Sequence, residues 1–229
     1  DTTLHNVSLA SAVAGINAAT TINSLRLQTG ASVAGTGTLR IHSGDVFSTG
    51  ATTSIATTGL DFGPAEGVIR VAAGSSMTVS STITGSGGLT KGGAGTLTLT
   101  GTQSYTGPVT VTGGLLDVYA SAAMIPDDSA VAVAAGATLR HKNGEVIGSL
   151  AGGGTVNGVD GNTKLTVGGN NLSTTFSGVL TGYYGGSGYF RKVGTGTLTI
   201  AGNVTNGLAV SFQLADGRVL LNEDGRIPS

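Results

Sequence analysis

Gly85-Ser-Gly-Gly-Leu-Thr-Lys-Gly-Gly-Ala-Gly-Thr-Leu-Thr-Leu-Thr100 returns without a gap as Gly186-Ser-Gly-Tyr-Phe-Arg-Lys-Val-Gly-Thr-Gly-Thr-Leu-Thr-Ile-Ala201. Lys91 recurs as Lys192, 101 residues on, and Gly93, Gly95, Leu97 and Leu99 recur as Gly194, Gly196, Leu198 and Ile200. Self-similarity over a long fixed period is the mark of a repeat architecture, in which each unit buries its apolar face against its neighbour. A second anchor agrees, because Ile125-Pro126 returns as Ile227-Pro228. Repeat units therefore run over about 24–126 and 127–228 of one continuous β-structure spanning 1–229, and the chain reads as a piece of something longer.

Around this anchor the chain is a succession of short alternating runs. Leu25-Arg-Leu27, Thr38-Leu-Arg-Ile41, Val68-Ile-Arg-Val71, Met77-Thr-Val79, Val109-Thr-Val111, Val131-Ala-Val133 and Leu165-Thr-Val167 each suit a half-buried strand. Gly-Gly, Gly-Ser, Asn-Gly and Asp-Gly pairs separate them and turn the chain sharply. In Thr96-Leu-Thr-Leu-Thr100 alternation sends Leu97 and Leu99 inward and the threonines outward. Small corners at Ala72-Ala-Gly74 and Ala134-Ala-Gly136 fit tight bends between coils of roughly 20 to 25 residues. No amphipathic helix stands out.

Composition points the same way. The 229 residues include 41 Gly and no Cys or Trp, and only 10% are charged, yet 39% hydrophobic content supplies a core to bury. The net charge of −1 and the absence of any Lys/Arg run remove the electrostatic footprint that nucleic acid or an anionic membrane requires. A cysteine-free chain is compatible with a reducing cytosol and also suits export, where a premature disulfide would block passage. No stretch approaches the roughly 18 apolar residues of a membrane helix, and Asp1-Thr-Thr-Leu4 has no signal pattern, so a targeting or anchoring segment is expected outside this chain.

Gly87-Gly-Leu-Thr-Lys-Gly-Gly-Ala-Gly-Thr-Leu-Thr-Leu-Thr-Gly-Thr-Gln-Ser-Tyr-Thr-Gly107 followed by Val109-Thr-Val-Thr-Gly-Gly-Leu-Leu-Asp-Val118 closely resembles the passenger-associated transport repeat of bacterial autotransporters. Ile147-Gly-Ser-Leu-Ala-Gly-Gly-Gly-Thr-Val156 is similar to phrases of such passengers. The motifs fall at 87–118 and 186–222. The resemblance implies an elongated, single-stranded, right-handed parallel β-helix, displayed or secreted through the outer membrane of a Gram-negative bacterium by type V secretion. The full-length protein would supply a C-terminal outer-membrane barrel. The resemblance also implies a rigid, non-enzymatic stalk without cofactor, supporting secretion and folding. Adhesion to a host-surface or matrix molecule, self-association and a part in virulence are implied with it. The second copy departs from the pattern, with Asn203-Val-Thr-Asn-Gly207 where the first has Ser104-Tyr-Thr-Gly107, and with an enlarged entry at Thr181 to Phe190.

Chemistry-bearing residues are sparse. His5, His42 and His141 lack the spacing that brings two ligands to one metal, and isolated histidines read as surface residues. Asp127-Asp128 follows Pro126 and reads as turn chemistry. Asp160 resembles a single calcium-binding nonapeptide, a site that needs stacked copies. Arg140-His-Lys142 with Glu145 reads as a charged turn. A β-helical polysaccharide-active enzyme would need a convergent charged cluster instead. An ice- or glycan-binding solenoid would need a regular hydroxyl face, and Thr-x-Thr recurs at 36–38, 82–84, 96–100, 110–112 and 197–199 at no constant spacing. Tyr183, Tyr184, Tyr189 and Phe190, aromatics concentrated in a Gly-rich stretch, are the best candidates for a partner contact, although capping of the core or stacking along one face is the simpler and preferred reading.

Overall fold

Period-2 alternation with glycine corners builds the same object throughout: short strands whose inward residues stack, coil over coil, into apolar columns. A computed structural model of the chain describes residues 4–118, 124–159, 163–182, 188–204 and 211–221. Every regular element among them is a strand, and each inter-strand ladder set out below is parallel. The fold is an all-β parallel solenoid. The chain divides into two compact units, Asp1–Pro108 with Gly113–Asp117, and Val109–Thr112 with Val118–Ser229.

In the first unit one stack comprises Asn6–Leu9, Ser24–Leu27, Asp45–Ser48, Gly67–Val71 and Leu89–Gly92. Register places Leu25 against Val46, Val46 against Ile69 and Ile69 against Lys91. The step from Val46 to Ile69 is 23 residues and from Ile69 to Lys91 is 22, which matches the expected coil length. A second stack holds Ser32–Ile41, Thr52–Asp61, Ser76–Val79 and Thr96–Leu99, with the inward column Val33, Ile55, Val79 and Leu99. Leu97 and Leu99 are buried as alternation requires. Ser32–Ile41 and Thr52–Asp61 are each ten residues long, and their pairing shifts register between Gly35 and Thr38.

Hydroxyl side chains on the second stack are more regular in space than in sequence. Thr52, Ser76 and Thr96 stand opposite one another, and so do Ser32, Ser54, Thr78 and Thr98. The spacing in sequence is unequal, as read from the residues, and coils of 20 to 24 residues put the extra length into corners and leave these columns aligned.

The second unit is built the same way from three stacks. One contains Val109–Val111, Ala130–Val133, Ser149–Gly152, Thr174–Phe176, Thr197–Ile200 and Arg218–Leu221. A second contains Thr138–His141, Thr155–Gly158, Val179–Thr181 and Asn203–Val204. The third contains Gly144–Ile147, Lys164–Val167, Tyr189–Lys192 and Ser211–Leu214. Register aligns Glu145, Leu165, Phe190 and Phe212 in one column and Ile147, Val167, Lys192 and Leu214 in another, both inward as far as Phe190 and Lys192, with Leu214 exposed.

The small corners are turns. Ser75 N–H donates to the Ala72 carbonyl at 3.1 Å and Ala137 N–H to Ala134 at 2.9 Å, with Gly74 and Gly136 at φ of 72° and 80°. Asp127 and Asp128 are exposed in the turn that Ser129 N–H closes on the Pro126 carbonyl at 2.8 Å.

Candidate functional site

Alternation in Leu89-Thr-Lys91 puts the lysine on the leucine face, and the structure keeps it there. Lys91 is 0% exposed, one step beyond Ile69 in a column that is otherwise aliphatic. Its Nζ donates to the carbonyls of Gly92, Gly93 and Gly113, each at 2.9 Å. The first two belong to the turn that follows the strand, and the third lies a full coil later in the sequence. Burial pushes the amine down to about 8 from its usual 10.5.

The glycines around it leave no choice of residue. Gly93 has φ of 74°, and a Cβ there would sit 2.2 Å from the Val71 carbonyl oxygen. At Gly95 a Cβ would meet the Ala72 carbonyl oxygen at 2.2 Å. The close approach of backbones is what brings several carbonyls within reach of one ammonium.

Lys192 repeats the arrangement. It is 1% exposed and sits against Val167 in its column. Its Nζ donates to the Gly194 carbonyl at 2.8 Å and to that of Val193. Gly194 has φ of 67°, and a Cβ at Gly196 would lie 2.3 Å from the Leu172 carbonyl oxygen. Burial lowers the Lys192 pKa, and the nearby Asp216 partly offsets that. Where the first copy has Gly113-Gly114, the second has Asp216-Gly217, so a carboxylate replaces a glycine beside the lysine. The charge of each lysine is solvated by main-chain dipoles of the turn that follows its strand, and at Lys91 the third bond also ties in the neighbouring coil.

Glu145 is a third inward ionisable side chain, of opposite sign. It is 1% exposed, opposite Leu165, and accepts from Met124 N–H at 3.1 Å and Ile125 N–H at 2.8 Å. Burial pushes its carboxyl up to about 7; the two amide donors pull against this and Asp127 adds to it. His141 is 0% exposed at the end of Thr138–His141. The reading of Arg140 to Glu145 as a charged turn is thereby corrected, as is that of His141 as a surface residue. His141 and Glu145 occupy inward strand positions, while Arg140 faces outward and Lys142 lies in the connection between the two strands. His5 and His42 are exposed, and among the described residues no three metal-ligating side chains are gathered.

The aromatic candidates separate. Phe190 is 0% exposed and stacks on Phe212 with ring centroids 5.3 Å apart, so it is a core residue and is withdrawn as a partner contact. Tyr189, its outward neighbour, has the Lys164 Nζ 5.6 Å from its ring centroid. Tyr183, Tyr184 and Asp160 lie outside the described residues. The inward lysines are the feature that sequence reasoning missed, although Lys91 and Lys192 mark the repeat; the signal was the alternation itself.

The family model of the passenger-associated transport repeat matches residues 89–118 and 190–209. Both matches begin on the strand that carries the buried lysine. No curated protein and no solved structure matches the chain.

Proposed function

We propose that this chain, which carries two passenger-associated transport repeats, is a stretch of an autotransporter passenger stalk, exported across a Gram-negative outer membrane and displayed or released at the cell surface. Its work is mechanical. Each coil presents a finished ladder and a finished set of inward columns, so the next coil needs only its predecessor as a template. The observation that carries this reading is the coincidence of both repeat matches with a buried lysine whose ammonium closes on the carbonyls of the following turn. A lysine in that position is unsatisfied until the turn has formed, which makes each repeat a point where folding commits. The stalk supports adhesion or self-association, and the C-terminal outer-membrane barrel of the full-length protein is its partner in export. Catalysis is no part of this reading.

Surface display tests it. The passenger joined to an autotransporter barrel is expressed with Lys91→Met and Lys192→Met, and the surface-exposed, protease-resistant fraction is measured. A several-fold loss of resistant passenger is expected; display equal to that of the parent would overturn the reading.

A further inference from the structure

Outward positions on these coils are mostly threonine, serine or other small residues, and in the first unit one outward face breaks that rule. Parallel register aligns two columns on it. One runs Asn6, Ser24, Asp45; the other runs Ser8, Arg26, Phe47, Arg70. Asn6, Ser24, Asp45, Ser8, Arg26 and Phe47 line a recess of about 300 Å³ together with Val7 and Leu25, and Arg70 follows Phe47 one coil on. Among the described aromatics of this unit Phe62 and Tyr105 are buried, and Phe47 alone faces outward.

The charges around Phe47 are unequal. Arg70 Nη2 is paired with Asp45 Oδ1 at 2.5 Å, which consumes the one carboxylate in the recess. Arg26 is exposed, its guanidinium carbon lies 5.9 Å from the Phe47 ring centroid, and no described carboxylate pairs with it. Asn6 Oδ1 already accepts from Asn23 Nδ2 at 2.7 Å and Ser24 Oγ at 2.8 Å, so Asn6 has its NH2 group left to offer. Ser8 Oγ accepts from Gln28 Nε2 at 3.1 Å and keeps its own proton to donate. The recess therefore combines a flat apolar platform with a wall of donors and one uncompensated positive charge. Its complement is a ring with one apolar face and an acidic, acceptor-rich edge.

We infer that this face binds an acidic sugar, a pyranose bearing a carboxylate or sulfate. Its apolar face lies on Phe47, its acid group meets the Arg26 guanidinium, and its hydroxyl oxygens accept from Asn6 and Ser8. The inference supplies a ligand class for the adhesive part of the proposed function and rests on that part. It is separable from the folding role of the lysines, since binding is measured on fully folded chain.

The chain is titrated calorimetrically at low salt with tetragalacturonate and a heparin-derived tetrasaccharide, which separate carboxylate from sulfate recognition. Maltotetraose and a tetraglutamate peptide are the comparisons. Saturable binding of at least one acidic tetrasaccharide is expected, at least about tenfold tighter than either comparison. Phe47→Ala and Arg26→Gln should each weaken it by about tenfold with the melting curve unchanged, while Arg26→Lys retains part of it. If one variant fails to fold, the other decides. No saturable binding of either acidic sugar, binding untouched by the variants, or equal affinity for the glutamate peptide would overturn the inference. Loss of binding with normal surface display would leave the stalk reading standing.

Discussion

Replacing Lys91 by methionine and following stability across pH isolates the cost of burying its charge. The side chain keeps nearly the same length and stays apolar, so the column above Ile69 remains filled. Burial holds the amine at about 8 in the folded chain against 10.5 in the open. That difference corresponds to about 3 kcal/mol at about 1.4 kcal/mol per pKa unit. The sign follows from linkage: below pH 8 both states are protonated and the folded one bears the cost. Between 8 and 10.5 the folded chain sheds its proton first, so stability rises with pH, and above 10.5 the cost is gone. Methionine does not titrate. The stability difference, parent minus Lys91→Met, should therefore grow in the parent's favour by about 2–3 kcal/mol from pH 7 to pH 10.5. The lower figure allows for the three carbonyl dipoles that favour the charged form. Urea unfolding followed by far-UV circular dichroism reads the difference directly. A difference that stays constant within about 0.5 kcal/mol would refute a lysine buried as a charged group.

Glu145 should give the opposite dependence. Its folded pKa of about 7 lies above the usual 4.5, so its contribution is complete below 4.5 and is lost as pH rises through 7. Urea midpoints for the parent against Glu145→Gln should diverge over that window by about 3 kcal/mol. Leu198→Asp places an unpaired carboxylate in the core, at a cost on the order of 5 kcal/mol, and should abolish the folded circular dichroism signal. Gly95→Ala directs a methyl at the Ala72 and Ser75 carbonyl oxygens, 2.2 and 2.5 Å away, and should lower stability by about 2–4 kcal/mol in the same urea assay.

Much of the fold was legible because alternation and glycine corners are local. Leu97 and Leu99 face inward, and Ala72 to Gly74 and Ala134 to Gly136 turn, as the residues alone indicate. The buried charges were illegible for an equally definite reason. Lysine and glutamate are so seldom buried that residue type outweighs phase, and Lys91 stands in the sequence only as a mark of the repeat. What reverses this is the set of carbonyls delivered by Gly92, Gly93 and Gly113, which only the turn geometry reveals. The recess around Phe47 was hidden differently. Ser8, Arg26, Phe47 and Arg70 are 18, 21 and 23 residues apart in sequence, and with unequal coils no fixed period aligns them.

The bond from Lys91 to the Gly113 carbonyl joins positions 22 residues apart. For a chain threading a pore, it can close only when both residues have reached the same side. Once closed, reversing the motion means stripping a cation of its acceptors and drawing it bare through the channel. In the export proposed above such a contact would work as a pawl: thermal motion would supply the steps in both directions, and the lysine would let only one of them count.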